Sequence, residues 1–198
     1  MKLRFPTGDT HFRDSDWQTY QLLQYSELVR WAPRRTLALD CGAHAGIMTR
    51  RFARDFDSVI AFEPVHHQLL SLNTQDFASV RVIDSAVSNQ SGFTTISINR
   101  ENSGDNRIGE GELEITTVRI DGLNLSPVGA IKMDIQGSEL WALQGAEQTI
   151  VRDHPSLMLE IESDDPNRAE IESLMNLWNY SVVYRKNADR VYSWRGWL

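Results

Sequence analysis

Strand and helix alternate along this chain from Thr36 onward, and that rhythm limits the fold more than any other feature. TLALD (36–40) reads as a buried strand. AGIMTRRFARDF (45–56) reads as a helix, with Ile47, Phe52 and Phe56 inward and Arg50, Arg51 and Arg54 outward. SVIAFEP (58–64) is a second strand, VHHQLLSLNTQDF (65–77) a second helix and VRVIDSAVS (80–88) a third strand. Strands separated by helices of this length predict right-handed βαβ units and a parallel sheet. Before this series, Ser15 can cap a helix carrying Trp17, Tyr20, Leu23, Leu28 and Trp31, which Pro33 ends.

The rhythm breaks once. GFTTISIN (92–99) and LEITTVRID (113–121) alternate as β-strands around the polar, glycine-rich ENSGDNRIGEGE (101–112), which predicts an inserted β-hairpin with a mobile tip. The series then resumes with AIKMDI (130–135), SELWALQGAEQTIV (138–151), SLMLEIE (156–162) and DPNRAEIESLMNLWNY (165–180). In the last helix Asp165 is the expected cap, Pro166 sits in the first turn, and Ile171, Leu174, Met175, Leu177 and Trp178 face inward. SVVYRK (181–186) and RVYSWR (190–195) close the chain as an antiparallel hairpin. The expectation is one α/β domain over 1–198, with a leading segment and helix (1–35) and a Rossmann-like core (36–198).

Composition excludes several classes. A formal net charge of −7 disfavours a broad nucleic-acid or anionic-membrane surface. Cys41 is the one cysteine, so no internal disulfide forms and a reducing compartment is expected. No run reaches the roughly 18 apolar residues of a membrane span, and the N-terminus has no signal-like apolar stretch, so the expected location is cytoplasmic.

LALDCGAHAG (37–46) is where a cofactor is expected, because ligands of open α/β sheets sit beyond the carboxyl ends of the strands. A dinucleotide fingerprint fails here, since His44 replaces its second glycine. A P-loop fails too, because no Gly-Lys-Ser/Thr follows. The loop suits a cofactor with an amino acid part and no phosphate. Asp40 can reach an ammonium, directly or through water, and Gly42 lets the backbone turn close to a ligand. Glu63 ends the next strand, where an acid can accept ribose hydroxyls, and Asp84–Ser85 can meet an adenine amino group. Together these describe S-adenosylmethionine. Taken singly, each has an ordinary reading: Asp40 as a helix cap, Glu63 as a surface acid.

LDCGAHAGIMTRRFA, VIAFEPVHHQLLSLN, VIDSAVSNQSG, IKMDIQGSELWALQGA and SLMLEIE resemble the FkbM-type methyltransferases, in order and spacing, over residues 36–162. The resemblance implies a class I methyltransferase fold, with a mostly parallel seven-stranded sheet. It implies S-adenosylmethionine-dependent methyl transfer, usually to a hydroxyl oxygen of a sugar or small metabolite. By matching position, Asp40, Cys41, Gly42, His44, Gly46, Glu63, Pro64, Asp84, Ser85 and Asp134 form the expected cofactor set. Cys41 alone reads as a small packing residue. The pattern departs at Gln136, where the family usually has glutamate. If that glutamate serves catalysis or a metal, this protein is weaker or different; if it only caps a helix, little changes.

An oxygen acceptor must lose a proton, and general-base help is typically worth about 10²–10⁴-fold. Asp134 is the first candidate and Glu139 the second, although an unperturbed aspartate is a poor base at neutral pH. Asp134 could instead contact only the cofactor's amino acid end. Glu160 and Glu162 share one side of their strand. With Asp134, Asp164 and Asp165 they form an acidic cluster, read as a solvated rim in preference to a divalent-cation site, so no metal is assigned. His66 and His67 are neighbours and give no metal spacing, while His11 could belong to a lid but taken alone reads first as an ordinary surface histidine. Asn102, Ser103, Asn106, Arg107 and Glu160 are the candidates for acceptor contact. Trp194 and Trp197 read first as packing residues.

The expected partner is a small hydroxyl-bearing acceptor, with no nucleic acid or membrane, in a monomer or homodimer. Two rivals stand beside this reading. A nicotinamide oxidoreductase lacks its fingerprint here. A catalytically weak or inactive binding module stays open because of Gln136.

Overall fold

The computed structural model describes residues 3–10, 17–99, 101–109, 111–125 and 127–197. Helix α1 (Leu22–Trp31) leads into β1 (Leu37–Cys41), α2 (Ile47–Asp55), β2 (Ser58–Phe62), α3 (His67–Thr74) and β3 (Val80–Ile83). Next come β4 (Ala86–Val87), β5 (Gly92–Ser97), β6 (Arg107–Ile108) and β7 (Leu113–Val118). The chain closes with β8 (Val128–Met133), α4 (Glu139–Gly145), α5 (Glu147–Asp153), β9 (Ser156–Glu160), α6 (Arg168–Leu177), β10 (Tyr180–Lys186) and β11 (Asp189–Trp194).

Seven strands form the main sheet in the order β10-β11-β9-β8-β1-β2-β3. All neighbours run parallel except β11, which is antiparallel to both β9 and β10. The expected mostly parallel α/β sheet with a closing hairpin is what the chain forms. β1 is central and buried throughout, as a strand covered on both faces must be. Tyr25 and Leu28 of α1 and Met48, Phe52 and Phe56 from α2 and its end pack with Ala38, Val59 and Ala130 on one face. Leu140, Leu143, Ile150, Ile171 and Met175 pack with Leu39, Ile131 and Leu157 on the other. Strand order reverses at β1, between β2 and β8, which opens a crevice at the carboxyl ends of these three strands.

Several expectations need correction. The third strand divides: Val80–Ile83 stays in the main sheet, and Ala86–Val87 pairs with β7 instead. The Ser85 hydroxyl, 2.7 Å from Thr116 Oγ1, fastens that turn. The inserted hairpin is therefore a four-stranded sheet, β4-β7-β5-β6, and the supposed free tip contains β6.

The 138–151 helix is broken at Ala146, whose φ is −115°. Arg50 is buried rather than outward, because its guanidinium pairs with Asp76 at 2.6 and 3.0 Å and lies over Phe77. Leu177 is 75% exposed, not core. Helix α1 starts at Leu22, with Trp17 and Tyr20 ahead of it against Ile47; Ser15 lies outside the described residues. Helix α6 starts after Asn167, whose N–H donates to Asp165 Oδ1 at 2.8 Å, so Asp165 and Pro166 precede the helix. Among the described residues no helix is long and apolar enough to cross a membrane.

Candidate functional site

The loop after β1 bends sharply at Gly42, where φ is +77° and a Cβ would stand 2.1 Å from the Asp134 carbonyl oxygen. The glycine thus permits the close approach of this loop to the end of β8. Gly42 and Ala43 donate their N–H groups to the Phe62 carbonyl at 3.1 and 3.0 Å, which ties the loop to β2. His44 also has positive φ, +49°. Its N–H donates to Glu63 Oε2 at 2.9 Å, while Val65 and His66 donate theirs to Glu63 Oε1 at 2.9 Å each. Three of the roughly four lone-pair sites of this carboxylate are taken, so Glu63 has room for one ligand hydroxyl rather than two.

A cavity of about 540 Å³ opens between these loops, the tip of the second sheet and the ends of β8 and β9. Gly42, His44, Glu63, Pro64, Asn106, Arg107, Asp134 and Glu160 line it, as do Asn102, Ser103, Glu162 and Asp164. Asp40, Cys41, Gly46, Asp84, Ser85 and Glu139 do not.

Each of the residues outside the cavity has another task. Asp40 is fully buried, accepts Thr49 Oγ1 at 2.6 Å and faces Lys132 Nζ at 3.6 Å; burial raises its pKa. Cys41 is buried in the core, where burial pushes its thiol up. Gly46, with φ +89°, lets α2 and α3 pack, since a Cβ there would meet Leu70 at 2.8 Å. Asp84 is exposed and pairs with His67 Nδ1 at 2.9 Å. Ser85 is held by Thr116. Glu139 is buried, and its carboxylate accepts the N–H groups of Ile135 and Gly137 at 2.9 Å each. It clamps the turn after β8. Burial pushes its pKa up to about 7.

That turn is left-handed at Gln136 (φ +55°) and Gly137 (φ +89°), and it projects the Gln136 amide into the cavity. Gln136 Nε2 donates to Asp134 Oδ1 at 3.1 Å and to Glu160 Oε2 at 2.8 Å. Behind them Lys132 donates to the Gly42 carbonyl at 2.8 Å and sits 3.5 Å from Asp134 Oδ2.

Burial opposes charge on Asp134, but Lys132 and the hydrogen bonds from Glu160 and Gln136 prevail and hold its pKa below the usual range. Burial also opposes the Lys132 charge, and Asp134 and Asp40 outweigh it and raise its pKa. Glu160, pushed up to about 9 by burial and by the Asp134 charge, keeps its proton at neutral pH. Around Gln136 the cavity therefore holds the Asp134 carboxylate and the Glu160 carboxylic acid, with the neutral amide between them.

Lys132 and the apolar wall of Val65, Ala86, Ile96 and Ile108 were not anticipated. A lysine within the otherwise apolar strand VGAIKM was the available sign of the first. Among the described residues no group of three His, Cys, Asp or Glu side chains is placed to hold a metal ion. Asp165 does not line the cavity, and His11 lies outside the described residues.

The family model of the FkbM methyltransferase domain matches residues 40–182. No curated protein sequence matches the chain. Among solved structures, the methyltransferase FkbM of Methylobacillus flagellatus KT is similar at 19% identity and a TM-score of 0.56, over 91% of this chain and 55% of that one. This chain thus spans about half the length of that protein. An rRNA methylase of Streptococcus thermophilus is similar at 12% identity and a TM-score of 0.54, over 86% of this chain and 92% of its own. A Streptococcus mutans structure described as a methyltransferase in complex with SAH is similar at 11% identity and a TM-score of 0.54, over 86% and 94%. These likenesses show a shared fold.

Proposed function

The chain belongs to the FkbM methyltransferase family, and from that premise we propose that it transfers a methyl group from S-adenosylmethionine to a hydroxyl oxygen of a small acceptor, with sugars as the first class to test. One observation carries this reading: a single cavity joins the oriented Glu63 carboxylate to the Asp134–Gln136–Glu160 group. The residues present fit the cofactor. Glu63 would take a ribose hydroxyl, and Val65, Ile96 and Ile108 the flat base. The cofactor supplies an activated methyl group on a sulfonium.

The chain's own residues supply alignment and a place for the proton. Asp134, held ionised by Lys132, accepts a hydrogen bond from the acceptor hydroxyl. It takes the proton as that oxygen becomes acidic on methylation, and a proton released so late needs no strong base. The protonated Glu160 donates a hydrogen bond to the acceptor or to Asp134 and avoids a second negative charge directly beside Asp134. Asn106 and Arg107, at the start of β6, line the same cavity and would contact the acceptor. Tyr20 and Gln21 line the same cavity, which supports reading residues 1–198 as one catalytic unit. The buried thiol of Cys41 is compatible with a cytoplasmic location.

Calorimetry with S-adenosylmethionine and S-adenosylhomocysteine, followed by an acceptor screen, tests the proposal. Micromolar binding that Glu63→Ala abolishes, with turnover that Asp134→Asn removes, is expected. Binding without turnover on any acceptor favours a binding module. No binding at all overturns both readings.

A further inference from the structure

The roof of the cavity holds a chain of polar contacts that the transfer itself does not use. Ser103 is buried in the connection between β5 and β6. Its hydroxyl oxygen lies 2.7 Å from His44 Nε2. The same hydroxyl donates to the Asp9 carboxylate, which also accepts the Ser103 N–H at 3.2 Å. A hydroxyl has one proton, and here it goes to Asp9. The oxygen therefore accepts from His44, which makes Nε2 the protonated ring nitrogen.

Both ends of this chain are anchored. His44 is held through its N–H by Glu63, and its ring stands edge-on to His66 at 5.4 Å. On the other side, Asn73 pins the N-terminal arm: it accepts the Arg4 N–H at 3.1 Å and donates to the Arg4 and Ala45 carbonyls at 2.8 Å each. Leu3 packs against Ile47. Thr10 donates to the Glu101 carbonyl at 3.2 Å through its N–H and its hydroxyl alike. The tip in between, Asn102 to Asn106, lines the same cavity as Glu63. Three segments distant in sequence thus close over one space, and a single serine hydroxyl joins them.

We propose that Asp9 and Ser103 are positioning residues that hold His44 and the 101–106 tip closed over the cavity, so that cofactor release requires breaking the Asp9–Ser103–His44 chain. The inference rests on the cofactor reading above. It goes beyond that reading by coupling the two halves of the site: the tip that faces the acceptor is latched to the loop that holds the cofactor.

The test uses the full chain with S-adenosylhomocysteine as the probe. Stopped-flow displacement gives its dissociation rate from wild type, Ser103→Ala, Ser103→Thr and Asp9→Ala, and amide exchange is followed without ligand. Ser103→Ala and Asp9→Ala should release the probe about tenfold faster, the scale of one lost hydrogen bond, while Ser103→Thr keeps the hydroxyl and stays near wild type. Exchange should accelerate together in residues 3–10 and 101–109 and stay unchanged in β8 and β9. An unchanged release rate in Ser103→Ala overturns the proposal. So does exchange that accelerates across the whole sheet, since that marks a general stabiliser. Absence of probe binding in wild type is a separate result: it removes the cofactor reading and the release role with it, while the exchange pattern still decides whether the arm and tip are latched.

Discussion

Gln136 donates to Glu160 at 2.8 Å from a left-handed backbone position that few non-glycine residues occupy. The same amide nitrogen reaches Asp134 at 3.1 Å, so one neutral side chain separates two carboxyl groups. A glutamate at 136 would bring a third carboxylate to the same point.

Glu160 should titrate far above its ordinary value of 4.5, at about 9. Folding then favours its protonated form. Its contribution to stability is complete below pH 4.5 and is lost as the pH rises toward 9. Glu160→Gln should show a thermal midpoint whose advantage over wild type grows across that window. The same variant should lose the alkaline fall in turnover expected near pH 9. Thermal melts and rate profiles from pH 4.5 to 9.5 check both, and parallel curves for the two proteins would refute the assignment.

Lys132 is buried between Asp40 and Asp134, at 3.6 and 3.5 Å. Removing the cation leaves two carboxylates without their partner. Lys132→Met should destabilise the fold by about 3–5 kcal/mol, the range for breaking a buried ion pair. Adding Asp40→Asn should recover part of that loss, because one of the stranded charges goes with it. Urea denaturation of both single variants and the double variant measures the coupling.

Gly42→Ala places a methyl group 2.1 Å from the Asp134 carbonyl oxygen, at a φ of +77°. Neither the backbone contact nor the dihedral can be relieved locally. The expected loss is at least about 2 kcal/mol, together with weakened S-adenosylhomocysteine binding. Chemical denaturation and calorimetry read the two effects on the same sample.

Glu139 clamps Ile135 and Gly137 through two 2.9 Å bonds. Glu139→Ala should cost about 2–4 kcal/mol, because two backbone donors lose their acceptor. Glu139→Gln keeps one acceptor oxygen and should fall between. If Glu139→Ala removed turnover with no change in stability, the clamp would not be its main task.

The main sheet was legible because β1, β2, β8 and β9 are apolar runs separated by helix-length segments. The loop after β1, Glu63 and Asp134 were legible because they follow strand ends, and topology alone brings strand ends together. What stayed hidden depends on pairings between distant segments. Nothing near Asp40 in the sequence announces Lys132, 92 residues on in the chain, which faces it. Nothing near Glu139 in the sequence announces that its carboxylate accepts the N–H groups of Ile135 and Gly137. Arg50 reads as solvated because nothing local announces Asp76. The four-stranded second sheet was missed because β4 and β6 have two residues each, too few to show a period.

The pairing of β4 with β7, Ala86 to Thr117 and Val87 to Val118, closes the excursion of the chain into a ring. Both ends of that ring are fastened before its tip begins. Insertions or deletions near 98–106 would therefore change a loop whose ends are already joined, and doubling a loop's length adds only about 0.6 kcal/mol of closure entropy. The wall of the cavity can thus be recut in length and side-chain content while the seven strands behind it stay as they are.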